Sequence, residues 1–118
     1  LPPVDANPDQ MTIMIRNLID NAIKYSPYGG TITLSARASS TEIEIRVTDT
    51  GVGIPADALP HIFDRFYRVD TSHARTHGGT GLGLSLVQAI AQAHHGRIDA
   101  ESRVGEGSTF IVHLPVHP

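Results

Sequence analysis

The chain has 118 residues, a formal net charge of −3 from nine Lys or Arg against twelve Asp or Glu, and 40% hydrophobic residues. That describes one globular domain, too short for two and too apolar to be disordered throughout. The charge balance excludes an overall basic field for nucleic acid, so an anionic ligand needs a built site, and the absence of cysteine excludes disulfides, thiolate chemistry and sulfur-ligated metals.

No apolar run approaches the roughly 20 residues of a membrane-spanning helix, and the opening Leu1-Pro2-Pro3 resembles neither a signal peptide nor an initiating end. The expectation is a piece of a longer protein, one domain over residues 1–118 that makes no direct membrane contact itself.

The first eight residues, LPPVDANP, are turn-rich, with one short strand expected around Val4. From Asp9 the pattern changes. Met11, Met14, Ile15, Leu18, Ile19, Ala22 and Ile23 recur at spacings of three and four, the signature of an amphipathic helix. It is expected to stop at SPYGG, where Ser26 precedes a proline and Gly29-Gly30 follow. Ile32, Leu34, Ala36 and Ala38 then alternate with polar residues as in a half-buried strand, and Ile43, Ile45 and Val47 repeat that period after an SST turn.

After Asp49 comes TGVGIP, a turn, followed by a short helical piece expected from Ala56 to Ile62 and the aromatic block IFDRFYRV. Positions 70 to 81 have almost nothing apolar to bury, which argues for a mobile loop. Helical spacing resumes from Leu84 to Ala93 through Leu84, Leu86, Val87, Ile90 and Ala91, and two strands flanking a Gly-rich turn close the chain. The order helix, two strands, loop, helix, two strands implies an antiparallel or mixed sheet with helices on one face.

The stretch GGTGLGLSL, positions 78 to 86, carries four glycines in six residues directly before a helical pattern. A helix N-terminus exposes free N–H groups, so a Gly-rich run leading into one can cradle phosphate; a flexible capped surface loop reads equally well from this stretch alone. It is not a Walker A loop, because Leu84 follows Gly83 where a lysine is required. A dinucleotide fingerprint fits poorly, since no strand precedes and Ser85 and Leu86 stand where the third glycine belongs. His73, His77, His94 and His95 follow no metal-ligand spacing with acidic partners and are read as surface histidines.

Four stretches taken together carry more. NLIDNAIKYS (17–26), DTGVGIP (49–55), IFDRFYRVD (62–70) and GGTGLGLSL (78–86) resemble, in order and spacing, the four nucleotide-binding boxes of the sensor histidine kinase ATP-binding domain, and the closing GEGSTFIVHLP resembles that family's last hairpin. This is the kinase branch of the superfamily shared with Hsp90-type chaperones, DNA gyrase B and MutL. The resemblance covers essentially the whole chain. It implies an α/β two-layer sandwich, a mixed β-sheet packed on one face by helices, with a flexible ATP lid over about residues 69–83.

It also implies roles residue by residue. Asn21 holds Mg²⁺ through its carbonyl oxygen; a lone amide is a poor magnesium site, so the metal arrives with ATP. Asn17, one turn earlier on the same side of the helix, stands where hydrolytic relatives carry a glutamate. An amide cannot accept the proton of an attacking water, so net ATPase activity is expected to be very low and Asn17 to orient the metal and phosphates. Lys24 brings an ammonium to the same phosphates, and the Tyr25 ring covers one side of the nucleotide.

Asp49 accepts a hydrogen bond from the adenine exocyclic amine, with Gly51, Gly53 and Ile54 lining the nucleotide beside it. Phe63 and Phe66 anchor the first end of the lid, with Tyr67 a third candidate. Arg68 approaches the γ-phosphate or another domain of the kinase, and Arg65 is a variable neighbour. Gly79, Thr80, Gly81, Leu82, Gly83 and Leu84 receive the phosphate oxygens at the second end.

Asn17, Lys24 and Arg68 are the residues expected to act in the chemistry. The implied partners are a dimerisation and histidine phosphotransfer domain of the same protein, absent from these residues, and a response regulator, in a homodimeric parent at the cell membrane with this domain on the cytoplasmic side. Two alternatives stay open: a protein serine kinase of the anti-sigma type from the same superfamily, and an interaction module that binds no nucleotide.

Overall fold

The structure, a computed structural model, describes residues 6–26, 29–65 and 83–116. Helix α1 spans Pro8–Lys24. Asn7 caps it, its side-chain oxygen accepting the Gln10 N–H at 3.1 Å, and Pro8 occupies the first turn, where its missing N–H costs nothing. The fully buried stripe is Met14, Leu18 and Ala22, each four residues apart. Each large side chain in it contributes about 1.5–3 kcal/mol by leaving water. Ile23, by contrast, is exposed. The helix stops at Lys24, with Tyr25 closing the last turn through its N–H to the Asn21 carbonyl.

Strands β1 (Ile32–Ala38) and β2 (Glu42–Asp49) form a hairpin whose turn is tied by Ser39, the hydroxyl accepting the N–H groups of Thr41 and Glu42. The piece expected from Ala56 to Ile62 is a single 3-10 turn, Leu59–His61, flanked by buried Ala58 and Ile62. Pro60 lies within it, and a residue that precedes proline is steered away from α-helical backbone, which works against a longer helix. Helix α2 spans Gly83–Ala93, and β3 (Arg97–Arg103) and β4 (Gly107–Pro115) complete the fold.

The sheet order is β1-β2-β4-β3, and all pairs among the described strands are antiparallel. Both helices lie on one face, α1 chiefly over β2 and α2 over β3 and β4. This is the two-layer α/β sandwich that the resemblance implies, and of the antiparallel or mixed sheet that the element order implies the described strands form the antiparallel one. Between the layers Phe110, Val47, Val112 and Val87 are completely buried with the α1 stripe.

The alternation in β1 is not matched by burial: only Ile32 is half-buried, and Leu34 is 52% exposed. β1 is one of the two edge strands of the described sheet, and α1 meets little of it, so Leu34 and Ala36 line an open apolar groove with Met11 and Ile15. In α2, Leu86 likewise faces outward while Val87, Ile90 and Ala91 fill the core.

On the opposite face of the sheet, register aligns Arg37, Glu44, His113 and Arg97 in one row across four strands. Arg46 closes on Glu44 at 2.6 Å, holding that carboxyl below its usual range. His113 reaches Glu42 at 3.0 Å and Asp99 at 3.1 Å.

Candidate functional site

Three parts of the chain meet at one end of the sandwich: the last turns of α1, the turn after β2, and the β3–β4 hairpin. Asp49 ends β2 on the helix-facing side and is 2% exposed. Burial pushes its carboxyl above the usual value, opposed by hydrogen bonds from the backbone N–H groups of Gly51 and Ser108. The Gly51 N–H reaches Asp49 Oδ1 at 2.9 Å. A carboxylate so buried and so sparsely compensated retains acceptor capacity for a donor brought by a ligand.

The turn itself is squeezed between two backbones. A Cβ on Gly51 would collide with the Tyr25 carbonyl at the end of α1, and one on Gly53, whose φ is 76°, would collide with the Arg103 carbonyl at the end of β3. Val52 completes the lock, its N–H donating to the Tyr25 carbonyl at 3.0 Å and its carbonyl accepting the Gly105 N–H at 2.9 Å. Packing alone therefore demands both glycines. Ile54 is 5% exposed and belongs to the core, its N–H donating to Ser102 Oγ at 2.7 Å.

On α1, Asn17 and Asn21 are half-buried one turn apart. The Asn17 amide nitrogen donates back to the Ile13 carbonyl at 2.8 Å. Its Oδ1 faces the start of α2, 3.2 Å from where a Cβ on Gly83 would stand. Lys24 Nζ lies 5.8 Å from the centre of the Tyr25 ring, within cation–π range. Leu84 and Phe63 pack at the edge of the core.

Tyr25 thus touches the Asp49 turn, and Asn17 faces Gly83. Arg68, Gly79, Thr80, Gly81 and Leu82, with Phe66, Tyr67 and the loop expected at 70–81, lie outside the described residues, as does the strand expected around Val4. Among the described residues no cluster of three or more His, Asp or Glu could hold a metal ion. His94 is more than a surface histidine: its Nδ1 bonds the Ile90 carbonyl at 2.8 Å and its Nε2 accepts the Asn7 N–H at 3.1 Å, tying the C-terminus of α2 to the cap of α1.

Ser102 and Ser108 join the site without having been expected there. The inward alternation runs Ile98, Ala100, Ser102 on β3 and Leu114, Val112, Phe110, Ser108 on β4. A polar residue in the apolar phase of both strands, at the same end, was the signal available in the sequence.

The fold is a two-layer sandwich with a buried carboxylate on the turn beneath a helix end, and comparison with known proteins gives its family. Residues 6–118 match the family described as histidine kinase-, DNA gyrase B-, and HSP90-like ATPase, and the chain belongs to it. Over 104 residues it is 47% identical to the sensor-like histidine kinase SenX3 of Mycolicibacterium smegmatis, covering 88% of this chain and 27% of that protein. Over 118 residues it is 47% identical to the adaptive-response sensory kinase SasA of Synechococcus elongatus, covering 99% of this chain and 30% of that protein. Among solved structures, the mycobacterial sensor histidine kinase MprB superposes with a TM-score of 0.85 at 29% identity, covering 98% of this chain and 78% of that one.

Within its family, then, the chain corresponds to the ATP-binding catalytic domain of bacterial sensor histidine kinases. It spans less than a third of the length of these two curated relatives. Among the described residues no helix is long and apolar enough to cross a membrane.

Proposed function

We propose that residues 1–118 form the ATP- and Mg²⁺-binding domain of a sensor histidine kinase, which delivers the γ-phosphoryl group of ATP to a histidine on a separate dimerisation domain and thence to a response regulator. The observation that carries the reading is Asp49. It is a carboxylate that is 2% exposed, desolvated and held at one oxygen by Gly51, in a chain of an ATPase family. Adenine offers an amine to such an acceptor, whereas guanine offers a carbonyl at the same edge and would leave two acceptors opposed.

The donor set fits a nucleotide that brings its own metal. Asn21 contributes one neutral amide oxygen, too little for a magnesium site unless phosphate oxygens complete the octahedron. Bound there, the ion would neutralise charge on the phosphates. Asn17 turns its amide carbonyl toward α2 while its N–H is committed to Ile13, and an amide has no basic site for a proton from water, so the phosphoryl group is kept for a protein acceptor. Lys24 and Arg68 supply positive charge to the transferring group, and Tyr25 covers the nucleotide. Gly79, Thr80, Gly81, Leu82, Gly83 and Leu84 bring N–H donors to its phosphates.

Positioning dominates such a transfer, because the protein has little covalent work to do. The parent is a homodimer anchored in the cell membrane, with this domain on the cytoplasmic side. Titration of the chain with ATP, ADP and GTP, each with and without Mg²⁺, tests the reading. Tighter binding of ATP than GTP, strengthened by Mg²⁺, is expected; no binding of any of them at millimolar nucleotide overturns it.

A further inference from the structure

At one end of the sheet, strand register aligns Ile32, Asp49, Ser108 and Ser102 in a single row across four strands, on the face covered by the helices. Two members of this row clamp the turn that follows β2. Asp49 takes the N–H of Gly51 at its start, and Ser102 takes the N–H of Ile54 at its end, at 2.7 Å. The second clamp comes from a strand some 50 residues away in the chain and is not part of any nucleotide-binding box.

The Ser102 hydroxyl has three neighbours and one proton. Besides Ile54 N–H, the Gly107 carbonyl lies at 3.0 Å and Ser108 Oγ at 2.7 Å. A carbonyl can only accept and an N–H can only donate. The one arrangement that satisfies all three partners sends the Ser102 proton to Gly107 and has its two lone pairs receive Ile54 N–H and Ser108 O–H. Ser108, 5% exposed and the register partner of Asp49, is left with lone pairs only.

We infer that Ser102 is a positioning residue for adenine recognition: it pins the far end of the Gly51–Ile54 turn, and it commits the Ser108 proton so that the row beside Asp49 presents acceptors alone. The inference rests on the nucleotide reading above. Without the Ser102 oxygen, Ile54 N–H loses its acceptor and the Ser108 hydroxyl is free to rotate and donate. A donor there would tolerate the carbonyl of guanine, which the intact row rejects.

The test uses Ser102→Ala, Ser102→Cys and Ser102→Thr in the full chain, with two readouts. Amide hydrogen exchange at Ile54, measured by NMR without nucleotide, is expected to speed up in the Ala and Cys variants and to return to the parent rate in Thr, which keeps the hydroxyl. The ratio of ATP to GTP affinity is expected to narrow roughly two- to tenfold in Ala and Cys, the value of one hydrogen bond, and to recover in Thr. Cys preserves the volume, so it serves if Ala does not fold. Unchanged Ile54 exchange together with an unchanged ratio, in a chain whose parent binds ATP, overturns the inference. A parent that binds neither nucleotide overturns the functional reading instead, and Ile54 exchange then decides the clamp by itself.

Discussion

The carbonyl of Tyr25 occupies the space into which a side chain on Gly51 would project, so the end of α1 and the turn after β2 are packed backbone to backbone. Gly53 stands in the same relation to Arg103 on the other side. Two segments that are far apart in sequence are thus held in fixed relation by the packing of the chain itself.

Alanine at these glycines tests that packing. Gly53→Ala combines a left-handed φ of 76° with a backbone collision and is expected to cost about 2–5 kcal/mol, whereas Gly51→Ala meets the collision alone, at about 1–3 kcal/mol. Gly105 has a φ of 83°, but among the described residues no atom beyond its two chain neighbours lies within 4 Å of the position that a Cβ would take there, so Gly105→Ala should cost only the conformational part, about 1–2 kcal/mol. Urea midpoints give the order; equal losses at Gly53 and Gly105 would mean that the turn is not tightly enclosed.

Asp49→Asn keeps an oxygen for the Gly51 N–H but replaces the charged acceptor by an amide. ATP binding should weaken by about 1–3 kcal/mol, with GTP affected less, so that the preference between them contracts. Calorimetric titration of both nucleotides checks this. An unchanged ATP affinity would show that adenine does not use this carboxylate.

The architecture was legible because local pattern and tertiary role agree in most elements. Within the three-and-four pattern from Met11 to Ile23, Met14, Leu18 and Ala22 are fully buried, and the alternation of Ile43, Ile45 and Val47 marks the inward side of β2. Burial of β1 was not legible, since alternation records which face a strand would bury and not whether a helix covers it; Leu34 obeys the period and stays exposed. Asp49 was visible as a turn-preceding carboxylate next to glycines. Ser102 was visible only as a polar residue in the apolar phase of its strand; its role depends on β3 lying beside β4 and on Ile54 folding back to meet it, long-range facts that no local spacing encodes.

Two adjacent histidines give opposite expectations for stability. His94 bridges the Ile90 carbonyl and the Asn7 N–H, so His94→Ala should cost about 0.5–1.5 kcal/mol per lost hydrogen bond. His95 ends α2 in the left-handed conformation at φ 63°, with Gly96 N–H closing on the Ala91 carbonyl at 2.8 Å. Glycine is the residue suited to that position, so His95→Gly should stabilise the chain by about 1 kcal/mol. Denaturant midpoints that move in the same direction for both variants would contradict this account.

Asp49 also makes a prediction about pH in the absence of nucleotide. Its carboxyl is raised above 3.8 by burial, against the opposing N–H groups of Gly51 and Ser108. The folded chain therefore holds this proton more firmly than the unfolded chain does. As pH rises from 3.8 through the higher folded value, the unfolded state ionises first and the parent loses stability across that window. Below the window the carboxyl is protonated in both states and the full stability is present.

Asp49→Asn carries no such group. The parent's thermal midpoint minus the variant's should fall as pH rises through the window and level off at neutral pH; taking the difference removes the contribution of every other carboxylate. A difference that stays flat or rises through the window would mean that Gly51 and Ser108 compensate the buried charge fully, leaving no unmet demand for a ligand amine to satisfy.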